Sequence, residues 1–151
     1  MSGKTAAGNA AGNRAISCGT LVINSRGELL LCHVTGQSHW DIPKGLRDDG
    51  ESTLEAAQRE LREETGLQFE QSAFEDIGCF DYRRDKKLHL YRVRAPDTLD
   101  SLDHLICISQ FPHHLTGAPT PEMDAFRWAV RSEIGRMCAP RMAARLLQLD
   151  W

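Results

Sequence analysis

The chain lacks any apolar run long enough to cross a bilayer, and its N-terminus lacks the apolar core of a signal peptide. Its five cysteines form no Cys-x-x-Cys pair. Because their number is odd and most lie in apolar, strand-like runs, we expect buried, reduced thiols rather than disulfides or a zinc site. These absences predict a cytoplasmic protein without a membrane partner.

The chain also lacks an excess of basic residues, since 18 Lys and Arg stand against 21 Asp and Glu, for a net charge of −3. A protein that holds nucleic acid mainly through phosphate contacts is usually basic, so the balance argues against that class. A nucleotide substrate is compatible with this charge, because a metal can supply positive charge locally. No internal repeat or composition shift indicates a second domain, and 151 residues can bury a sizeable core.

Composition and periodicity divide the chain into a tail and one domain. Residues 1–14, rich in Gly, Ala and Asn, predict a disordered tail, and residues 15–151 a single folded domain. Strands interrupted by one internal helix and closed by a terminal helix indicate a mixed α/β layered domain. Two hairpins are predicted, one that pairs residues 15–23 with 28–34 and one that pairs residues 74–82 with 88–93. Further strands are predicted at 105–111 and at about 123–130. A last helix is predicted from Ser132, and Pro140 breaks or restarts it.

The internal helix is predicted between Ser52 and Gly66. Ser52, followed three residues later by Glu55, is a capping-box pattern in which each side chain accepts a hydrogen bond from a backbone N–H near the helix start. Gly66 stands where a helix end favours a left-handed residue. Both ends of the helix are therefore specified locally.

This helix carries two stripes of different character. At about 100° per residue, Leu54, Ala57 and Leu61 form an apolar stripe that can pack on a sheet. A neighbouring stripe gathers three glutamates whose like charges repel. A hard divalent cation such as Mg²⁺ or Mn²⁺ would relieve that repulsion, and a solvated acidic face is the alternative. The three residues are Glu60, Glu63 and Glu64.

The wider spacing around the helix carries a family pattern. Gly45 is followed after five residues by Glu51, and after seven more by residues 59–67, which read Arg-Glu-Leu-Arg-Glu-Glu-Thr-Gly-Leu. This stretch resembles the signature of the Nudix hydrolase family at every fixed position. A looser resemblance covers residues 40–44 upstream and Arg127-Trp128 near the last strand.

The resemblance implies a fold and an activity. The fold class it implies is α/β, a Nudix-type α/β/α sandwich with a mixed β-sheet. The activity it implies is Mg²⁺-dependent or Mn²⁺-dependent attack of water on phosphorus, which splits the pyrophosphate link of a nucleoside diphosphate derivative. Carboxylate-bound metal suits this reaction, because it neutralises phosphate charge and activates water.

The resemblance also assigns roles to residues. Glu60 and Glu64 resemble the principal metal ligands, and Glu63 resembles a third ligand or the general base. Gly45 resembles the position whose neighbourhood lends a backbone carbonyl to the metal. A further pair, Glu51 and Arg59, resembles the brace between the loop and the helix.

Some family members supply another carboxylate from a distant loop. Glu122, just before the strand that holds Trp128, is the candidate ligand here, with Asp124 behind it. The alternative is that Glu122 is only a loop acid that precedes a strand.

Substrate choice is less constrained. Residues 40–45, Trp-Asp-Ile-Pro-Lys-Gly, resemble members that hydrolyse diadenosine polyphosphates and bacterial members that trim pyrophosphate from RNA 5′ ends. In that resemblance Lys44 reaches a distal phosphate, and Tyr82 with Lys86 or Lys87 holds a base or a phosphate chain. One-faced packing of Tyr82 and Phe80 into the core explains those aromatic residues equally well.

Three functions stay open at this point. The first is hydrolysis of a small nucleotide, such as a nucleoside triphosphate or a dinucleoside polyphosphate. The second is the same chemistry on RNA 5′ ends, against which the acidic balance counts. The third is a non-catalytic nucleotide sensor, which the complete set of glutamates disfavours. The apolar C-terminal stretch ending in Trp151 could serve a homodimer as readily as the protein's own core.

Overall fold

The computed structural model describes residues 15–151, so the tail predicted at residues 1–14 lies outside the described residues. Strands dominate, and the longest helix carries the glutamates. The strands are β1 Ala15–Ile23, β2 Leu29–Val34, β3 Trp40–Asp41, β4 Lys44–Leu46, β5 Glu75–Arg83, β6 Lys86–Arg94, β7 Gln110–Pro112, β8 Pro119–Pro121 and β9 Met123–Ala129. The helices are α1 Thr53–Thr65, α2 Ile134–Met137 and α3 Pro140–Leu147, with short 3-10 turns at Gln71–Ala73, Asp97–Leu99 and Arg131–Glu133.

The main sheet is mixed, as the family resemblance predicts. Its strand order is β9-β2-β1-β6-β5, with β3 paired to β2 and β4 to β1. Strands β1 and β6 are parallel from the pair Ala15 and Lys86 to the pair Ile23 and Arg94, whereas the other pairs are antiparallel. The short strands β7 and β8 form a separate antiparallel hairpin.

Helices cover both faces of this sheet. Leu21, Leu29 and Leu31 point to one face, where they pack in a buried cluster with Ile134 and Met142 of the C-terminal helices. Because successive strand residues alternate in direction, the intervening residues point to the other face. There Val22 and Leu30 cluster with Leu61 of α1, and Cys18 with Ala56, Ala57 and Tyr91. The α/β/α sandwich is therefore confirmed.

The first predicted hairpin is only partly correct. Asn24 organises the turn, because its side-chain oxygen accepts hydrogen bonds from the N–H groups of Arg26 and Glu28 at 3.0 and 2.9 Å. Beyond the turn, however, β1 and β2 share only the pair Ile23 and Leu29, and β1 takes β6 as its long partner. The second hairpin, β5 with β6, is confirmed.

The strand predicted at 105–111 is wrong over most of its length. The backbone N–H of Ile106 donates to the Thr65 carbonyl at 3.0 Å, and that of Ile108 donates to the Glu63 carbonyl at 2.7 Å. The last carbonyls of a helix need such partners, so this segment satisfies the end of α1 rather than a sheet. Only Gln110–Pro112 pairs as a strand.

Three further predictions can be compared with the structure. Pro140 restarts the helix, because Cys138 is extended and Pro140 opens α3, as proline favours the first helical turn. Cys18, Cys32 and Cys138 are buried free thiols, but Cys79 is exposed on β5, so burial is wrong for that residue. No helix among residues 15–151 is long and apolar enough to cross a membrane.

Candidate active site

Local signals fix the helix that carries the glutamates. The N–H of Glu55 donates to Ser52 Oγ at 3.0 Å, and the N–H of Ser52 donates to Glu55 Oε1 at 2.9 Å. At the other end Gly66 has φ 80° and ψ −3°, and its N–H donates to the Arg62 carbonyl. Both predicted caps are confirmed, and they fix where α1 begins and ends.

The acidic stripe is not a solvated face. Glu60 is only 8% exposed and Glu64 only 4%, while Glu63 is half-buried. Contacts of α1 with β1 and β4 account for this burial, since the helix lies against both strands. Burying carboxylates is costly unless they gain a charged or hydrogen-bonding partner, so the arrangement requires one.

Arg59 is a charged, hydrogen-bonding partner for part of this group of carboxylates. Its Nε donates to Glu51 Oε2 at 2.7 Å and one Nη2 hydrogen to Glu51 Oε1 at 3.0 Å, a bidentate pair. Nη1 donates to Glu60 Oε2 at 2.8 Å and to Glu63 Oε1 at 3.1 Å, and Nη2 also reaches the Leu46 carbonyl at 3.0 Å. All five guanidinium donors are thereby used. The predicted pairing of Glu51 with Arg59 is present, and Arg59 also holds two glutamates of the stripe.

Gly45 leaves space for a carboxylate. A Cβ built at this position would overlap the carboxylate of Glu60, which lies directly against the backbone of β4. The backbone conformation of Gly45 is ordinary, so the requirement for glycine comes from this close approach and not from φ. The structure therefore brings Gly45 and Glu60 into contact, as their places in the signature imply.

Glu64 is the least compensated charge of the stripe. Its Oε1 accepts a hydrogen bond from the backbone N–H of Lys44 at 3.1 Å. Burial raises the pKa of Glu64 to about 9, and the negative charges of Glu60 and Glu122 add to the rise. Burial also raises the pKa of Glu60, although Arg59 opposes that rise. Both shifts arise first from burial, which disfavours the charged form of each carboxyl, and a cation bound beside them would oppose the shifts.

Glu122 reaches this group from the far end of the chain. The N–H of Glu122 donates to the Ser109 carbonyl at 3.0 Å, while its own carbonyl accepts from the N–H of Thr35 at 3.0 Å. Its charge acts on both Glu60 and Glu64, so it lies on the same side as the stripe. Asp124 differs, because its carboxylate contacts His33 Nδ1 at 2.6 Å.

The donor set fits a hard divalent cation. Carboxylate oxygens are the ligands that Mg²⁺ and Mn²⁺ prefer, and a bound cation would offset the cost of burying the charged forms of Glu60 and Glu64. Among residues 15–151 no three His, Cys, Asp or Glu side chains converge as a ready-made metal site. Arg59 holds Glu60 and Glu63 in this arrangement, which leaves Glu64 as the carboxylate that it does not contact.

Cationic side chains lie beside the carboxylates. Lys44 is mostly buried, and its Nζ contacts Asp41 Oδ2 at 3.2 Å. Burial alone would lower the pKa of Lys44, but Asp41, Tyr82 and Glu64 together more than offset this, and the net shift is upward. The pKa of Lys86 is lowered by burial and by the charges of Lys44 and Arg83. Lys86 is therefore repelled by both Lys44 and Arg83 at this end of the sheet.

The remaining predicted substrate residues are placed differently. Tyr82 is 7% exposed and packs in the core cluster, which agrees with the packing alternative for its ring. Lys44 Nζ lies 6.0 Å from the Tyr82 ring centroid. Lys87 Nζ contacts Asp81 Oδ1 at 3.4 Å, on the exposed side of the hairpin. Sequence reasoning missed Asp41, the partner of Lys44, because a carboxylate three residues before a lysine outside a helix gives no signal.

Gly45→Ala is expected to lower turnover strongly while changing stability little. The added methyl group would displace only the flexible end of Glu60, so we expect unfolding free energy to change by less than about 1 kcal/mol. Turnover should fall roughly 100-fold, because misplacing a catalytic group by about 1 Å has that effect. Urea unfolding and steady-state kinetics measure the two quantities.

Gly135→Ala is the matched control, since a Cβ at Gly135 in α2 meets nothing within 4 Å. It should leave both quantities close to wild type. Equal turnover of the Gly45→Ala and Gly135→Ala variants would contradict a role for the contact between Gly45 and Glu60.

Comparison with known proteins identifies the family. A family model described as NUDIX domain matches residues 13–146. The chain is 31% identical over 138 residues to the uncharacterized 17.7 kDa protein in the e-segB intergenic region of Enterobacteria phage T4, covering 85% of this chain and 91% of that protein. It is 45% identical over 124 residues to the RNA pyrophosphohydrolase of Shewanella denitrificans, covering 73% and 67% of the two chains.

Solved structures share the fold. A MutT structure from work on Aliivibrio salmonicida and Vibrio cholerae has a TM-score of 0.59 at 18% identity and covers 89% of this chain and 93% of its own. A Caenorhabditis elegans Ap4A hydrolase binary complex has a TM-score of 0.53 at 20% identity, covering 87% and 92%. The chain belongs to the Nudix family, and it is a Nudix hydrolase that acts on phosphoanhydride bonds.

Proposed function

We propose that the protein is a Mg²⁺-dependent or Mn²⁺-dependent pyrophosphohydrolase that cleaves a nucleoside triphosphate or a dinucleoside polyphosphate. The observation that carries the proposal is the buried pair Glu60 and Glu64, whose carboxyls have pKa values raised by burial and of which Glu64 lies beside Lys44, a neighbour of Lys86. Buried carboxylates next to lysines suit a metal-bound polyphosphate, which carries both a cation and anionic phosphates. The phosphates would offset the repulsion among the cations while the metal offsets that among the carboxylates.

The metal would be held by Glu60 and Glu64, with Glu122 and the backbone near Gly45 as further donors, and Glu63 would be either a third ligand or the general base. Bound there, it would supply charge neutralisation at the phosphates and lower the pKa of the attacking water. This assignment follows the positions in the signature, together with the burial of the two carboxylates.

The chain's own side chains would perform the other steps. Glu63 is half-buried and uses Oε1 for Arg59, so its other oxygen can accept a proton from water as general base. Arg59 would hold the carboxylates in place through its five hydrogen bonds. Lys44 and Lys86 would bind the phosphate chain, which gives Lys86 the anionic neighbour that its lowered pKa calls for.

RNA 5′ ends are the second candidate substrate. The relative from Shewanella denitrificans is named an RNA pyrophosphohydrolase, as is one from Marinomonas that is 30% identical. Four basic residues at the β5–β6 turn could extend the phosphate contacts beyond the first nucleotide, although the net charge of −3 counts against a long basic surface. These residues are Arg83, Arg84, Lys86 and Lys87. A cytoplasmic location and a homodimer stay predictions from the sequence.

A substrate panel tests the proposal. Release of phosphate, pyrophosphate and nucleotide would be measured for nucleoside triphosphates, sugar nucleotides, dinucleoside polyphosphates and 5′-triphosphorylated RNA, with Mg²⁺, with Mn²⁺ and with EDTA. We expect metal-dependent cleavage of a small nucleotide and little of the sugar nucleotides. Faster cleavage of RNA would select the second candidate, and no cleavage of any substrate at high protein concentration would overturn the proposal in favour of a nucleotide sensor.

A further inference from the structure

A cavity of about 280 Å³ lies between the loop after β2 and the hairpin of β7 and β8. Its volume is near the lower end of the roughly 300–1,000 Å³ that is typical of small-molecule sites. Of the side chains from residues 15–151 that line it, none is Lys, Arg, Asp or Glu. The side chains that matter here are Thr35, Gln37, Phe111, His113, His114 and Thr120.

The cavity adjoins the carboxylate site. Thr120 precedes Glu122 by two residues, and the N–H of Thr35 donates to the Glu122 carbonyl at 3.0 Å. Glu122 in turn acts electrostatically on Glu60 and Glu64. A ligand in the cavity would therefore lie next to the groups proposed to act on the phosphates.

Flat rings form one wall of the cavity. The rings of His113 and His114 stack with centroids 4.8 Å apart and an interplanar angle of 24°. His113 Nδ1 accepts hydrogen bonds from the N–H groups of Leu115 and Thr116 at 3.1 and 3.4 Å, which fixes the orientation of that ring. In its neutral form the proton then lies on Nε2, which is a donor. The half-buried ring of Phe111 adds a third aromatic surface.

Polar side chains also line the cavity. Thr35 Oγ1 itself is buried, so Thr35 lines the cavity through its other atoms. Gln37, which is exposed beside it, has an amide that can both donate and accept.

We propose that this cavity holds the nucleobase of the substrate. Aromatic faces with uncharged hydrogen-bonding groups match a base, which stacks through its face and bonds through its edge, whereas a phosphate requires positive charge. The inference rests on the proposed function, because it places the base at one end of the cleft and the phosphates at the carboxylates. His114 and Phe111 supply stacking, while Gln37 contacts the edge of the base.

A fluorescent nucleotide tests the inference without catalysis. The probe is 2-aminopurine riboside 5′-monophosphate, which has no phosphoanhydride bond and loses fluorescence when its base stacks. Titrated with wild-type protein and Mg²⁺, it should show saturable quenching. His114→Ala and Phe111→Ala should each weaken its affinity about tenfold, which equals about 1.4 kcal/mol and lies in the range of base stacking on an aromatic side chain.

Leu115→Ala is the matched control, because Leu115 is 80% exposed on the same turn and does not line the cavity. It should leave the affinity unchanged, and thermal melting should show that all variants are folded. Absence of saturable quenching at millimolar probe, or equal affinity of the His114→Ala and Leu115→Ala variants, would overturn the inference.

The test of the base site and the test of the hydrolase proposal can fail independently of each other. If no polyphosphate is cleaved but quenching depends on His114, the base site stands and the hydrolase proposal fails. If cleavage occurs, His114→Ala should raise KM about tenfold and leave kcat nearly unchanged, since stacking stabilises the bound substrate and the transition state equally. Cleavage with an unchanged KM and unchanged probe affinity would refute the base site alone.

Discussion

Glu64→Gln is expected to lower kcat by roughly 100-fold to 1,000-fold, the range found when one preorganised electrostatic group is removed from a catalytic site. Glu64 is the carboxylate that Arg59 does not contact and whose pKa rises to about 9. Glu64 is therefore the carboxyl that gains most from a bound cation, which would favour its ionised form. Steady-state kinetics with the best substrate of the panel measures the effect.

Glu70→Gln is the control for this change, because Glu70 is exposed and precedes the 3-10 turn Gln71–Ala73 without a side-chain cap. It should retain wild-type kcat. Full activity of the Glu64→Gln variant would show that Glu64 does not bind the metal.

The Glu64→Gln variant should be more stable than wild type when metal is absent. Burial raises the pKa of Glu64 from 4.5 in the unfolded chain to about 9 in the folded protein. The contribution of this carboxyl to stability is therefore fully present below pH 4.5, and it is lost as the pH rises through about 9. Gln cannot ionise and has nearly the same shape. Melting temperatures in EDTA should therefore agree near pH 4 and diverge in favour of Glu64→Gln between about pH 5 and pH 9. Parallel curves across that range would contradict the assigned burial of charge.

Arg59→Ala is expected to lower the free energy of unfolding by about 2–4 kcal/mol, somewhat less than the loss of a fully buried ion-pair partner because Arg59 is 21% exposed. The change would leave Glu51 and Glu60 without their shared cation. Arg59→Lys should rescue little of this, since a lysine has three donors at one point and cannot replace a bidentate fork. Urea unfolding measures all of these values.

Arg62→Ala provides the comparison for this loss. Arg62 lies on the same helix and is exposed, so its removal should change stability by no more than about 0.5 kcal/mol. If Arg59→Lys matched wild type in both stability and turnover, the fork of hydrogen bonds would have no special importance.

Local signals in the sequence predict α1 well, and nonlocal pairing explains the errors. Ser52, Glu55 and Gly66 act within one helical turn, so their roles are visible from spacing. The partner of β1 is β6, far along the chain, and no local pattern distinguishes that parallel pairing from a simple hairpin. Residues 105–108 form an apolar run that resembles a strand, but the amides of Ile106 and Ile108 bond to carbonyls at the end of α1.

In the candidate site, too, local features could be predicted from the sequence, whereas features that depend on distant contacts could not. The signature identifies Gly45 and Glu60 as related positions, and the structure adds the physical reason, which is the carboxylate seated where a Cβ would be. The burial of Glu64 could not be predicted, because the same stripe on an isolated helix would face solvent. The cavity beside His114 combines two distant loops, and no motif joins them.

The dependence of turnover on Mg²⁺ tests the central claim most directly. Wild-type protein, freed of metal with EDTA and dialysed, would be titrated with Mg²⁺ while product release from the preferred nucleotide is followed. The proposed carboxylate site predicts no turnover without metal and a saturable rise as Mg²⁺ is added. Undiminished turnover by the metal-free protein would contradict the claim that Glu60 and Glu64 act through a bound cation.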